Sequence, residues 1–456
     1  SQWKLVPLPG QLSVQINTLG SISVPFDALY GAQTERALRN FPISGVPVSQ
    51  MPDLIRALAF IKKSAARANV RLGALPEGKA SIICQVCDEI IAGQHAQHFP
   101  VDVFQGGAGT STNMNVNEVI ANRGLELMGR SCGDYAHLHP NDDVNRSQST
   151  NDVYPTAIRM ALMLSVPGLI VAMEALAAAF EEKGEAFAHI SKLGRTELQD
   201  AVPMTLGAEM RAYGVTIRED VERLRATVNL LSQVNIGGTA IGTGVAAPDR
   251  FREYVLNDLR ELSGLPLKPA SDLMEASWDA GVFVHLSGVL KRVATKLSKT
   301  ANDLRLLSSG PRGGLGEIRL PPMQPGSSLM PGKVNPVIPE MVNQVAFHVI
   351  GMDVAISFAA EAGQLQLNAF EPLMAFGLLQ SVTLMRNATS VLRARCVEGI
   401  EADADRCLAN LEGSTANFAE LLPQIGYDKA SELAKWMLEG KRTWGGVLEK
   451  LRQEDK

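Results

Sequence analysis

"GVTIREDVERLRATVNLLSQV", residues 214–234, decides the fold class. Its apolar residues Ile217, Val221, Leu224, Val228 and Leu231 recur at gaps of four, three, four and three. A helix of 3.6 residues per turn gathers such a set on one face, whereas a strand alternates every second residue. The run therefore predicts a helix with one side in a core. The same pattern returns in 283–307, through Leu286, Leu290, Val293, Leu297, Ala301 and Leu304. Segments 155–190 and 338–362 are apolar on nearly all sides, which predicts helices buried on nearly all sides. At about 1.5 Å per residue, helices of this length make a long bundle. All-round apolarity further predicts that bundles from several subunits pack together.

Composition agrees with an all-α reading. Of 456 residues, 46% are hydrophobic but only 5% aromatic, while Ala, Leu and Val abound, which favours helices on helices over a sandwich or barrel. Net charge is −5 with no long basic or acidic run, so nothing points to nucleic acid or an anionic membrane. Met160 to Phe180 is the most apolar stretch, but it carries Pro167 and Glu174 and reads as a buried helix. Five cysteines, few and odd in number, fit a reducing, cytoplasmic setting. Residues 1–50 read as irregular, broken by Pro7, Pro9, Pro25, Pro42 and Pro47. Helical patterning runs from about Asp53 to Gln97 with a break at Pro76-Glu77-Gly78, and short segments follow Glu398.

Four polar stretches interrupt this background: "GGAGTSTNMNVNE" (106–118), "HPNDDVNRSQSTND" (139–152), "GRTELQDAVP" (194–203) and "GSSLMPGKVNPVIPE" (326–340). Hydroxyls, amides and glycine-freed N–H groups can fix a small anion by neutral hydrogen bonds. The same residue types cap helices and build turns. Four such stretches in one helical protein favour a site. The last is the most specific, with adjacent hydroxyls at Ser327 and Ser328, then Lys333 and Asn335. A serine acts as a base only if its alkoxide is stabilised, which an ammonium and backbone N–H groups can do. A Ser/His/Asp triad is the competing reading, but no G-x-S-x-G elbow supports it.

"GSSLMPGKVNP" resembles the signature loop of the fumarase/aspartase superfamily, and the other three stretches resemble its remaining active-site segments in the same order. The resemblance runs from "VPFDALYGAQTERALRNFPISG" to "IGYDKA". It implies an all-α fold of three domains, here 1–147, 148–398 and 399–456. It also implies a homotetramer with a twenty-helix core and active sites shared by three subunits. The implied chemistry is anti elimination beside a carboxylate, releasing fumarate, with no cofactor and no metal. By resemblance, Ser327 is the base on a mobile loop, and Lys333 and Asn335 hold a carboxylate. Thr110, Ser149, Thr150 and Asn151 hold the other end of the substrate. Thr196 and Glu197 come from another subunit, Met330 lines the pocket, and Ser328 adds a backbone donor.

Within the superfamily, "GAGTSTNMN", "MTLGAE" and "EAGQLQLN" are similar to aspartases rather than fumarases. The expectation is a C–N lyase acting on L-aspartate or an N-substituted aspartate. The alternatives are a class II fumarate hydratase and an inactive structural homologue. Glu197 departs from the pattern, since the family has His or Gln there. An ionised Glu cannot donate to a substrate carboxylate. Glu340 matches the acidic partner of the family's histidine, so the two carboxyls would share a proton. Otherwise Glu197 meets a cation on a larger substrate.

Three further patterns are discounted. Cys84-x2-Cys87 with His95-x2-His98 has too short a gap for a zinc finger. "GGTAIGTG" (237–244) shows no preceding strand, as a dinucleotide fingerprint requires. "HPND" (139–142) matches a second anion site of fumarases and equally a structural turn.

Overall fold

The computed structural model describes residues 12–17, 19–440 and 442–454. The fold is mainly helical. In chain order the elements are β1 (Leu12–Asn17), β2 (Gly20–Pro25), α1 (Ala32–Asn40), α2 (Pro52–Arg71), α3 (Glu77–Ile91), α4 (Thr110–Leu127) and α5 (Thr150–Ala186). Then come β3 (Ser191–Thr196), β4 (Gln199–Thr205), α6 (Leu206–Leu230), β5 (Gln233–Val234), α7 (Phe251–Ser263), β6 (Lys268–Pro269) and α8 (Gly281–Leu307). The chain continues with β7 (Ile318–Arg319), α9 (Val337–Glu361), α10 (Glu371–Arg395), β8 (Glu401–Ala402), α11 (Ala404–Glu412), α12 (Phe418–Ile425), α13 (Tyr427–Glu439) and α14 (Trp444–Glu454).

Two compact units emerge. The first comprises Ser1–Pro167, Leu224–Leu290 and Gly351–Thr383, and the second Gly168–Arg223, Lys291–Ile350 and Leu384–Lys456. The long helices α5, α6, α8, α9 and α10 each contribute to both.

In the first unit, α2 packs on α3 and α7. Leu54, Leu58 and Ile61 of α2 are fully buried. Arg67 and Arg71 reach the buried Asp258 of α7 at 3.3 and 3.2 Å. The start of α1 is held by Glu118 of α4, whose carboxylate accepts from the N–H groups of Gly31, Gln33 and Thr34 and from the Thr34 hydroxyl. A carboxylate there satisfies donors that a helix start leaves open. In the second unit, Phe180 of α5 packs on Tyr213 of α6, ring centroids 5.4 Å apart. A small C-terminal cluster joins Phe418, Ala430, Leu433, Met437 and Val447.

Periodicity placed the long helices well. All six residues picked out in α8, Leu286 to Leu304, are buried, and so are Ile217, Val221 and Leu224 of α6 and Leu231 just beyond its end. Three readings need correction. Within 1–50, read as irregular, Leu12–Asn17 and Gly20–Pro25 form the antiparallel hairpin β1–β2 and Ala32–Asn40 forms α1, while 1–11 and 18 lie outside the described residues. A two-residue strand, β5, does precede "GGTAIGTG", paired in parallel with β6, but no helix begins until Phe251. Finally, α9 is not covered on all sides within one chain: Phe347, Val354 and Phe358 are 62%, 55% and 69% exposed.

Candidate active site

The first polar stretch is largely helix rather than loop. Gly107, Ala108 and Gly109 all adopt positive φ, and α4 begins at Thr110. A Cβ on Gly109 would lie 2.4 Å from the buried Tyr154 ring, so only glycine serves there. Most of the polar side chains that follow hold structure. Thr112 donates to Gln105 at 2.9 Å, Asn115 to the His98 carbonyl at 2.8 Å, and Glu118 caps α1. Thr110 is exposed, its hydroxyl donating to the Gly107 carbonyl at 2.7 Å.

Asn113 links this helix to the next candidate segment. Its amide donates to Thr150 Oγ1 at 3.0 Å and to Asn145 Oδ1 at 3.2 Å. The Ser149 hydroxyl accepts from the Asn151 N–H at 3.2 Å. The Asn151 amide donates to the Ala240 carbonyl at 2.9 Å, and its own carbonyl accepts from Asn235 at 3.1 Å. Beneath them, fully buried Asp152 accepts from the N–H groups of Ser149, Gly237 and Thr239 at 3.0, 2.9 and 3.0 Å. Burial raises its pKa to about 6 against the pull of those hydrogen bonds.

Sequence reading missed Lys62. Its ammonium is wholly buried and donates to Asn145 Oδ1 at 2.8 Å and Gln148 Oε1 at 2.9 Å. Burial lowers its pKa to about 7. Asn145 Oδ1 also accepts from Asn113 and Asn117, so one cation organises the floor under Ser149 and Thr150. The signal was available: Lys62 falls four residues from Leu58 and Ala66, on the apolar face of α2.

The remaining candidates lie in the second unit. "GRTELQD" is the tip of the hairpin β3–β4, in which Thr196 pairs with Gln199. Glu197 and Leu198 form the two-residue turn, both with positive φ, 53° and 63°. That geometry favours Asn-Gly, so Glu-Leu carries strain of about 1–3 kcal/mol per residue. Thr196 and Glu197 are exposed, and Leu198 is 69% exposed.

The fourth stretch folds back on itself. A Cβ on Gly326 would fall 1.9 Å from the Lys333 carbonyl oxygen, and Asn335 donates to the Gly326 carbonyl at 2.8 Å. Ser327 Oγ accepts from the N–H groups of Leu329 and Met330, each at 3.1 Å. Two N–H groups aimed at one oxygen stabilise negative charge on it. Ser328, Met330 and Lys333 are exposed beside it. The side chains of Glu197, Lys333 and Glu340 meet no hydrogen-bond or ion-pair partner among the described residues, so the expected Glu197–Glu340 pair is not formed within one chain.

The discounted patterns have ordinary roles. Cys84 Sγ contacts the Lys63 carbonyl, His95 pairs with Glu89 at 2.6 Å, and the His98 ring accepts from the Leu29 N–H at 3.3 Å. His139 Nδ1 accepts from the N–H groups of Asn141 and Asp142, and the His139 N–H donates to Asp143. A concavity of about 540 Å³ at the start of α7 is lined by Arg250, Arg252, Asn257 and Arg260 and by none of the candidate residues.

Residues 20–351 match the family model described as lyase, and the chain belongs to that family, the fumarase/aspartase superfamily. It is 54% identical to the aspartate ammonia-lyase of Pseudomonas aeruginosa, over 97% of this chain and 93% of that protein. It is 47% identical to the aspartate ammonia-lyase of Escherichia coli, with the same coverage. Among solved structures it is similar to the fumarate lyase:delta crystallin of Brucella melitensis bound to cobalt, with TM-score 0.94, 55% identity and 96% of each chain covered. The class II fumarase of Schistosoma mansoni follows at TM-score 0.91 and 34% identity, over 97% of this chain and 96% of that one.

Proposed function

We propose that this chain is an aspartate ammonia-lyase, eliminating ammonia from L-aspartate to give fumarate, and running the reverse addition. The observation that carries this is the 54% identity to an aspartate ammonia-lyase over 97% of the chain. The fumarase reading is weaker, because the class II fumarase is 34% identical.

In this reading the Ser327 alkoxide removes a proton from the carbon beside a carboxylate. The Leu329 and Met330 N–H groups that face Oγ supply the stabilisation an alkoxide needs. The dianionic aci-carboxylate is then held by Lys333, Asn335 and the Ser328 N–H, with Met330 lining the pocket. Thr110, Ser149, Thr150 and Asn151 take the other end of the substrate. Ammonia leaves from the opposite face, and the reaction needs no cofactor or metal. The loop's exposure supports closure over the substrate, which excludes water and completes the site.

The same reading makes the protein a homotetramer of three-domain chains (1–147, 148–398 and 399–456), each site built from three of them. The open apolar face of α9 supports it. Phe347, Val354 and Phe358 each gain about 1.5–3 kcal/mol when covered, and a second copy of the same helix is a fitting cover. Five free cysteines support a cytoplasmic setting.

Glu197, strained at its hairpin tip and without a side-chain partner among the described residues, then enters another copy's site. A proton shared with Glu340 lets it donate to a substrate carboxylate as Gln would. Ammonia and fumarate release from L-aspartate, wild type against Glu197→Gln, tests the reading. Both proteins should turn over, within about tenfold of each other. Silence from both overturns the aspartate reading. A wild type that instead adds larger amines to fumarate, and loses this in Glu197→Gln, assigns Glu197 to a cationic N-substituent.

A further inference from the structure

Glu317 stands outside every polar stretch picked out in the sequence, and it is completely buried. Its carboxylate gathers β3 and α11 directly, and α6 through Lys192. Arg195 of β3 donates to Oε1 at 2.8 Å, and Lys192, also of β3, lies 2.9 Å from Oε2 as an ion pair. Lys192 is itself 2% exposed at its side chain and is shared with Glu209 of α6 at 2.6 Å. Asn410 of α11 donates to Oε1 at 3.0 Å. The Glu317 backbone is tied as well, its N–H donating to the Leu307 carbonyl and its carbonyl accepting from the Asp403 N–H, each at 2.9 Å.

What these elements carry gives the cluster its meaning. Arg195 directly precedes Thr196 and Glu197 at the hairpin tip. Glu317 directly precedes β7, whose strand runs on into the loop bearing Ser327, Lys333 and Asn335. The root of the hairpin and the root of the loop are thus fastened to one carboxylate. Both ends are braced on α11: Leu193 packs with Leu411, and Arg406 donates to the carbonyls of Gly314 and Leu315. In this cluster only Glu317 and Lys192 are fully buried, Arg195 and Glu209 being partly exposed, and taking such charges out of water offsets much of their attraction, so the net stability is small. A well-packed apolar cluster would hold the fold as well. What ions add is directional geometry.

We propose that Glu317 is a positioning residue, which locks the hairpin presenting Thr196 and Glu197 to the stem of the loop presenting Ser327, so that a disturbance at one is felt at the other. The functional importance of the two segments rests on the lyase reading, but the coupling does not.

Hydrogen exchange read by mass spectrometry tests it on the full-length protein, following segments 191–205 and 318–336 together. Arg195→Gln removes only a hairpin contact at a partly exposed position. Glu317→Gln removes the shared carboxylate. In both variants exchange should rise roughly tenfold in both segments. With L-aspartate, kcat should fall at least about tenfold in Arg195→Gln while KM stays within about threefold, the mark of misplaced groups rather than lost binding. Should Glu317→Gln fail to fold, Arg195→Gln alone decides. Faster exchange confined to 191–205 in Arg195→Gln, or unchanged exchange in the loop segment, overturns the proposal. A wild type that releases no fumarate from aspartate would sink the lyase reading and leave the exchange result standing.

Discussion

The floor around Thr150 and the loop around Ser327 carry similar residues and are built in opposite ways. Beneath Ser149 and Thr150 every neighbour is tied down: Asn113, Asn145, Gln148, Lys62 and Asp152 bond to one another or to the backbone. Around Ser327 the bonds are local, from Leu329, Met330 and Asn335, and Lys333 stands in solvent. A binding floor gains from being fixed before substrate arrives, since ordering it later would cost affinity. A base that must be sealed from water gains from a segment that can move. Damage to the loop should therefore appear in kcat, and damage to the floor in KM and stability.

The largest effect is expected at Ser327, the proposed base. Ser327→Ala should lower kcat on L-aspartate by about 10³-fold or more, in the range for losing a general base, with KM little changed. A loss under tenfold would remove Ser327 from that role. Next comes Gly326→Ala. Its Cβ would collide with the Lys333 carbonyl, so the loop must open there, and kcat should fall roughly 100-fold with an unchanged melting temperature. A melting shift with normal kcat would mark the glycine as purely structural.

For the floor, Lys62→Met leaves the Asn145 and Gln148 oxygens without their cationic donor. It should raise KM about tenfold and lower stability by about 1–3 kcal/mol near neutral pH. Its pH dependence has a definite sign. Folded Lys62 releases its proton near pH 7, while the unfolded side chain holds it to about 10.5. The unfolded chain thus binds the extra proton between those values, and the Lys62 contribution to stability grows as pH rises across that window. Urea titrations of wild type and Lys62→Met should diverge from pH 7 upward, and parallel curves would contradict this. The smallest effect belongs to the hairpin tip. Leu198→Gly relieves a left-handed leucine and should raise stability by about 1 kcal/mol by thermal melting. A loss of stability would mean that Leu198 is covered in the assembly.

The helices were legible because periodicity reports burial directly, as the six buried residues of α8 illustrate. The open face of α9 was not, since an apolar residue looks alike whether its cover is its own chain or another. Ser327, Lys333 and Asn335 stood out because hydroxyl, ammonium and amide crowd one short segment. In the same first polar stretch as Thr110, Asn115, Asn117 and Glu118 brace the fold, because capping and substrate binding draw on the same side chains. Lys62 and Glu317 were overlooked for the opposite reason. Glu317 is a single charge in an unremarkable context, whereas Lys62 lies on the apolar face of α2, and in both cases only the tertiary fold gathers the partners.

The central proposal is ammonia elimination from aspartate. Its most direct test is kcat/KM of the purified protein for L-aspartate against L-malate, following fumarate by absorbance and ammonia in the same samples. Aspartate should give fumarate and ammonia in equal amounts, with kcat/KM at least about 100-fold above that for malate. Faster fumarate formation from malate, or fumarate from neither, would contradict the account.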